Sequence, residues 1–178
     1  ILAALQQHDR KMREQGIPSR GSGLVFPVPE ELIKCEPFDI PDHFPRVCGM
    51  DYGWDHPTTA TWIAWDRDAD IAYIYDSYSQ RQEIPAVHAA AINARPKWIP
   101  VIWPRDGRQA DKGSGTPLAD QYRALGVNMM QGRGKSWGGW FTNPPVDNQQ
   151  EGSGGVSLES GVMEMLERMK TGRLKIFS

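Results

Sequence analysis

Apolar positions follow two different periods along this chain, and the change from one to the other divides it. Between residues 47 and 76 they come as short runs rich in β-branched and aromatic side chains. These are Val47-Cys48-Gly49-Met50-Asp51, Thr58 to Trp65, and Ile71 to Asp76. Runs of this kind bounded by turn residues predict strands. Arg67 to Asp70 is a polar turn between the second and third, and Gly53 to Pro57 is a tight link between the first and second, so the three form an antiparallel meander. Beyond residue 80 the period lengthens. Ile84, Val87, Ala91 and Ala94 recur at helical spacing as far as Pro96, and Pro100 to Trp103 is a short buried-strand candidate. Leu118, Tyr122 and Leu125 line one face of a second helix, with Thr116 as N-cap, Pro117 at the first position and Gly126 as the stop. Val127 to Gln131 predicts another strand. A third helix over about Ser157 to Lys170 carries the stripe Leu158, Val162, Met165, Leu166 and Met169, and Leu174 to Phe177 predicts a last strand after Gly172. The fold class is α/β: a mixed sheet in which a three-strand antiparallel meander is followed by alternating helices and parallel strands, with helices packed on the sheet.

Two stretches stand apart from this pattern. Ile1 to about Gln15 predicts an amphipathic helix with Leu2, Leu5 and Met12 on one side, and Gly16-Ile17-Pro18 ends it. Gly16 to Pro45 is rich in proline and poor in periodic apolar positions, so residues 1–45 are expected to be a helix and an extended arm, with a short helical turn around Glu30 to Lys34. The globular domain is expected over 46–178. Gly132 to Gly155 holds seven glycines together with Trp137, Trp140 and Phe141. It is too long for a simple connection and predicts a functional or mobile loop.

The 178 residues suffice for one ordinary domain. Hydrophobic content of 39% and charged content of 24% exclude a disordered chain, and no apolar run approaches the ~18 residues of a membrane-spanning helix. Cys35 and Cys48 make neither a CxxC pair nor a metal-ligand cluster, and are expected to be free thiols in a reducing compartment. The start is polar, unlike a signal peptide, and Ile1 in place of Met is expected of a piece of something longer. Net charge is −2 but unevenly spread. Residues 30–90 carry four basic and twelve acidic side chains, whereas residues 95–135 carry eight basic and three acidic. An acidic block followed by a basic one suits a site that gathers cations beside a polyanion, and it also falls within ordinary surface variation.

Candidate chemistry centres on two aspartates. Asp51 ends the first predicted strand between Gly49 and Gly53, and Asp106 follows the buried run ending at Trp103 and precedes Gly107. If those two strands are neighbours, the carboxylates meet at one sheet edge, where they repel unless a cation lies between them. Mg²⁺ or Mn²⁺ held by carboxylate oxygens and water resolves that repulsion. Arg105 and Arg108 would then face an anion. The plainer alternatives are a turn-capping aspartate and a loop of mixed charge. Asp111 is either a group supporting a metal ligand from outside or a turn residue. Asp55 and His56 have a turn role by default, and His8, His43 and His88, which show no ligand spacing, are expected at the surface. Gly134-Lys135-Ser136 resembles the end of a phosphate loop, but Met129 stands where the first glycine belongs and no helix follows, so no bound nucleotide is expected. The basic and aromatic segment around Arg133 and Lys135 suits a nucleic-acid backbone better. Trp62, Trp65, Trp98 and Trp103 read as core or strand residues, while Trp54, Trp137 and Trp140 fall in loops where stacking roles are open.

The arm Gly21-Ser22-Gly23-Leu24-Val25-Phe26-Pro27, the segment Gly49-Met50-Asp51-Tyr52-Gly53-Trp54-Asp55-His56-Pro57, the segment Trp103-Pro104-Arg105-Asp106-Gly107 with the Asp111 to Gly126 stretch, and Thr171-Gly172-Arg173-Leu174-Lys175-Ile176-Phe177 together resemble the nuclease domain of the large terminase subunit of tailed bacteriophages. The resemblance covers most of the chain from about Gly16. It implies an RNase H-like fold and metal-dependent endonucleolytic cutting of concatemeric double-stranded DNA during genome packaging, in the cytoplasm of the bacterial host. Asp51 and Asp106 match the family's first two catalytic aspartates. The family's third lies beyond the strand beginning at Leu174 and is expected to be missing before Ser178, as is the upstream ATPase half; Glu159, Glu164 and Glu167 do not match it. Hydrolysis would use two metal ions, with Asp51 bridging both and Asp106 holding one. Arg105, Arg108, Lys112, Arg133 and Lys135 would hold DNA phosphates, and the portal protein and small terminase subunit would be partners, with no membrane involved. Other readings are a resolvase- or integrase-type RNase H-like nuclease, which the arm motif argues against, an actin-like ATPase, which needs a second Gly-rich loop and more length, and a non-catalytic docking module of the packaging motor.

Overall fold

The computed structural model describes residues 26–108, 115–130 and 158–178, with residues 105, 106 and 158–160 described as backbone alone. The expected helix over Ile1 to Gln15 and the glycine-rich loop lie outside the described residues. A short helix α1 (Glu30–Ile33) leads into β1 (Lys34–Cys35). The meander follows as β2 (Arg46–Asp51), β3 (Thr58–Asp66) and β4 (Ile71–Gln80). Then come α2 (Pro85–Asn93), β5 (Val101–Ile102), a 3₁₀ turn (Arg105–Arg108), α3 (Leu118–Ala124), α4 (Leu158–Lys170) and β6 (Leu174–Phe177).

The described strands form one sheet in the order β1-β6-β4-β3-β2-β5. β2 pairs antiparallel with β3 from Arg46↔Ala64 to Asp51↔Thr59, and β3 pairs antiparallel with β4, with a register shift between Trp62 and Ile63. β5 runs parallel to β2, and β6 runs parallel to both β4 and β1. Only β3 therefore opposes the rest, and the C-terminal ends of the other five strands point to one edge. The turn Arg67–Asp70 joins the meander as expected. The Asp66 carboxylate caps it by accepting from the amides of Asp68 and Ala69 (3.0 and 3.1 Å).

Alternation along β3 buries Thr58, Ala60, Trp62 and Ala64 on one face. On that side Cys48, Met50, Ala60 and Trp62 pack with Ala89 and Ile92 of α2 and with Ala119 and Tyr122 of α3. His88 belongs to this interior rather than to the surface expected of it. It is 2% exposed, and the Tyr78 hydroxyl lies 2.8 Å from its Nδ1. α2 places His88 on the same inward side as Ala89 and Ile92, where the partner on β4 engages Nδ1 while Nε2 is buried without a hydrogen-bond partner among the described residues. Trp98 departs in the other direction: it is 55% exposed, in the connection between Pro96 and Pro100 rather than in a strand. Part of the proline-rich arm joins the sheet, since Lys34 and Cys35 pair with Ile176 and Phe177.

Two local expectations change. The strand expected over Val127 to Gln131 reduces to one parallel bridge between Val101 and Met129. The Trp103 indole N–H takes the Met130 carbonyl (2.8 Å), Arg123 donates to the same oxygen, and Met129 N–H turns back to Val127 O, so the ladder ends. α3 is capped by Pro117 rather than Thr116; the Pro117 carbonyl accepts from the amides of Asp120 and Gln121 (3.0 and 3.1 Å). Among the described residues no helix is long and apolar enough to cross a membrane.

One contact fixes the sheet edge. Gly107, in the 3₁₀ turn, lies so close to two aromatic rings that a Cβ there would stand 2.6 Å from Trp103 Cε3 and 2.7 Å from Tyr52 Cε2. Tyr52 also meets the buried Tyr122 ring at 5.6 Å between centroids. The end of β2 and the turn after β5 are thereby packed against each other. Gly107→Ala is expected to lower stability by about 1–3 kcal/mol through overpacking, read as a lower urea midpoint at unchanged m. An unchanged midpoint would mean that the rings yield freely. His88 gives a second expectation. Burial pushes its pKa below the ordinary 6.5, so the unfolded chain takes up its proton first as pH falls. The contribution is whole above that value and is lost as pH drops below it, at no more than about 1.4 kcal/mol per pH unit for one proton. Urea midpoints at pH 7.5 and 5.5 should differ less in His88→Gln than in the wild type; equal differences would refute the assignment.

Candidate functional site

Asp51 is the last residue of β2 and is exposed. In the parallel ladder Cys48 stands opposite Val101 and Gly49 opposite Ile102, which puts Asp51 level with Pro104. Asp106 follows within the 3₁₀ turn, so the backbones of both aspartates stand at the same sheet edge, at the ends of neighbouring parallel strands. The Tyr52–Gly107 contact holds the residue after each aspartate against the other. The two were expected to meet here if their strands were neighbours, and the strands are.

The link from β2 to β3 holds Asp51 at the rim. Gly53 N–H donates to Thr58 Oγ1 (3.1 Å), and the Thr58 hydroxyl donates back to Gly53 O (2.9 Å). A Cβ on Gly53 would stand 2.3 Å from the His56 carbonyl oxygen, so the turn closes only around glycine. Asp55 and His56 are exposed in this turn. Among the described residues, Asp51 has no hydrogen-bond or ion-pair partner, which leaves its oxygens open to a ligand. Exposed carboxylate oxygens fit a hard divalent cation such as Mg²⁺ or Mn²⁺ better than a softer metal. Among the described residues, no three His, Cys, Asp or Glu side chains gather as a metal-holding group.

Basic residues flank the Asp106 side. Arg108 is exposed on the 3₁₀ turn, and a depression of about 270 Å³ opens beside it between Trp103, Pro117, Asp120 and Arg123. Arg123 is already engaged: it pairs with Asp120, donates to Met130 O and lies 5.4 Å from the Trp103 ring centroid. Asp111, Lys112, Arg133 and Lys135, with the Gly-Lys-Ser segment, lie outside the described residues, as do the side chains of Arg105 and Asp106.

Other titratable groups serve the scaffold. Glu164 pairs with Arg168 and Glu167 with Arg173, while both arginines reach Asp70 in the β3–β4 turn (3.3 and 2.8 Å). The Arg173 guanidinium, joined by Arg168 and the Trp65 indole, holds the Asp70 carboxyl below its usual range. This cluster sits at the sheet edge opposite Asp51. Cys48 and Cys35 are free thiols, the first buried and the second half-buried. Burial pushes Cys48 up to about 12, so it remains a thiol and offers no nucleophile. The Tyr52–Gly107 packing was not anticipated from the sequence; the glycine immediately after Asp106 was the available sign of a close approach.

Comparison with known proteins agrees with this fold. The model of the family described as the terminase RNaseH-like domain matches residues 48–178. The chain is 36% identical, over all 178 residues, to the large terminase subunits of Enterobacteria phage LP7 and Salmonella phage P22. It spans 34% and 33% of their respective lengths. The solved nuclease domain of the P22 large terminase superposes with a TM-score of 0.70 at 35% identity, covering 90% of this chain and 75% of that one. The large terminase of a thermophilic bacteriophage shares the fold, with a TM-score of 0.54 at 12% identity over 98% of this chain and 42% of its own. A matched model over nearly three quarters of the chain, on a mixed sheet of this topology, makes the chain a member of the terminase RNaseH-like domain family.

Proposed function

We propose that this chain is the nuclease part of a large terminase subunit, a metal-dependent endonuclease that cuts concatemeric double-stranded DNA during phage genome packaging. The observation that carries it is the meeting of Asp51 and Asp106 at one edge of the sheet, at the ends of parallel neighbours and joined through Tyr52 and Gly107. The 35% identity to a protein solved as a terminase nuclease domain supports the same reading.

Asp51 and Asp106 would hold two ions, Mg²⁺ or Mn²⁺. Bound there, the ions supply an activated water and charge stabilisation at the leaving oxygen. Asp51 offers its carboxylate at the solvent-exposed rim, where a phosphodiester can approach. Arg108 borders the site, and with Arg105, Lys112, Arg133 and Lys135 it would align the phosphates on either side of the scissile bond. Asp111 would orient a ligand from outside. β6 runs parallel to β2 and aims at the same edge, from which the third carboxylate implied by the resemblance would join. With no groove-reading element among the described residues, binding would be largely independent of base sequence. Within the packaging motor, an ATPase domain, the portal and the small subunit would be partners, in the host cytoplasm.

The test is Mn²⁺- and Mg²⁺-dependent nicking of supercoiled plasmid by the full-length protein. Asp51→Ala should reduce the rate by more than the ~10–100-fold that loss of a group supporting a metal ligand costs, while DNA binding persists. A full-length protein that leaves plasmid intact with both metals would instead favour a docking role. Binding should also weaken steeply with salt. Arg108→Ala should make the slope of log K against log salt shallower by about 0.9, the effect of one lost phosphate contact. An unchanged slope would remove Arg108 from the DNA interface.

A further inference from the structure

We infer that Trp54 is a stacking residue of the cleavage site, its indole receiving a nucleobase of the strand cut beside Asp51. The inference rests on the DNA-cleaving reading above and adds to it the part of the substrate that the β2–β3 turn contacts.

Trp54 stands out among the five tryptophans whose surroundings are described. Trp62 lies under the Arg95 guanidinium at 4.5 Å, and Trp98 lies near Arg46 at 5.5 Å. Trp65 faces Arg67 at 5.4 Å and donates to Asp70, while Trp103 faces Arg123 and donates to Met130 O. Among the described residues, Trp54 alone of these has no cation, ring or hydrogen-bond acceptor for its side chain, and it is 59% exposed. Leaving so large an apolar surface in water forgoes burial that the fold uses elsewhere.

Its backbone, by contrast, is pinned from both sides. The reciprocal Gly53–Thr58 hydrogen bonds hold the residue before it, and Thr58 is itself buried at 2% exposure. The Trp54 carbonyl accepts from the Gln82 amide at 3.3 Å, and Gln82 adopts a left-handed φ of 54°. An ordered backbone carrying an unpartnered aromatic ring, three residues from a catalytic carboxylate, is the arrangement a stacking platform requires. Asp55 adjoins Trp54, and Arg81 and Glu83 flank Gln82, so the charges around the ring are mixed, and the indole itself offers a nucleobase a neutral face to stack on. Ile84, also 59% exposed, extends the apolar rim on the segment that Gln82 ties to Trp54. Stacking accepts any base and is compatible with weak sequence preference.

The experiment compares wild-type, Trp54→Ala, Trp54→Phe and Asp51→Ala forms of the full-length protein. With Mn²⁺, each is assayed on a fully paired duplex and on the same duplex with a central unpaired bubble. Trp54→Ala should lose about 5- to 150-fold in kcat/KM on the paired duplex and recover much of it on the bubble, where a base is already unstacked. Trp54→Phe should retain most activity, and thermal midpoints should match the wild type. Trp54→Ala cutting paired DNA within about twofold of wild type would overturn the inference. So would an equal loss on both substrates that Trp54→Phe fails to restore, which would mark the indole as a structural support of the β2–β3 turn. Cleavage absent from the wild type, or undiminished in Asp51→Ala, would refute the nuclease reading and this inference together.

Discussion

A parallel ladder between β2 and β5, only two residue pairs long, governs the geometry of the candidate site. Parallel pairing sends both strands out at the same edge, so the residues that follow them must meet. A ladder this short cannot hold register alone. The Cys48 amide extends it to Pro100 O (2.9 Å), and on the far side of β5 the Val101 amide donates to Asn128 O (2.8 Å) while Val101 O accepts from Met130 (2.9 Å). The buried side chains of Val101 and Trp103 then seat the strand against α2 and α3. Packing replaces hydrogen-bond count here, which is why close contacts such as Tyr52 on Gly107 carry so much of the site.

How much of this was legible depends on how local each determinant is. The meander reads directly from its alternation because β2, β3 and β4 pair through short turns, and the helix over 158–170 follows from apolar spacing; the helix over 85–93 forms where expected, but it buries Ala89 and Ile92 while Ile84, Val87 and Ala94 of the expected stripe are exposed. Asp51 and Asp106 are visible as strand-ending carboxylates beside glycine, and their meeting needed only the assumption that their strands are neighbours. Determinants distant in sequence were hidden. The pairing of β1 with β6 joins residues some 140 positions apart, so Lys34 and Cys35 look like part of an irregular arm. His88 looks like any polar residue on a helix until Tyr78 is found facing it. Trp98 illustrates the converse: aromatic character predicted burial, but the prolines on either side of it lift it out of the strand.

The two edges of the sheet are built from different chemistry. At the edge opposite the site, Asp70 collects Arg168 and Arg173, which in turn engage Glu164 and Glu167, and every charge finds an opposite. This ion-paired cluster ties α4 and β6 to the β3–β4 turn and orients β6 toward the other edge. At that other edge Asp51 has no described partner, so its electrostatic demand remains for something brought from outside. A fold that satisfied both edges equally would be a scaffold without a site.

The position of β6 in the sheet has a consequence for how the molecule is assembled on the ribosome. β6 is inserted between β1 and β4, two strands made much earlier. Until residues 174–177 emerge, β1 has no neighbour and β4 presents an unpaired side, whereas β2, β3 and β5, which carry the candidate site, already have their partners. The nascent chain therefore builds the site end first and carries two open strand edges until nearly all of its described length has been synthesised. In that interval unpaired edges invite pairing with other chains, so the interval before β6 docks is the one in which this domain is most exposed to misassembly.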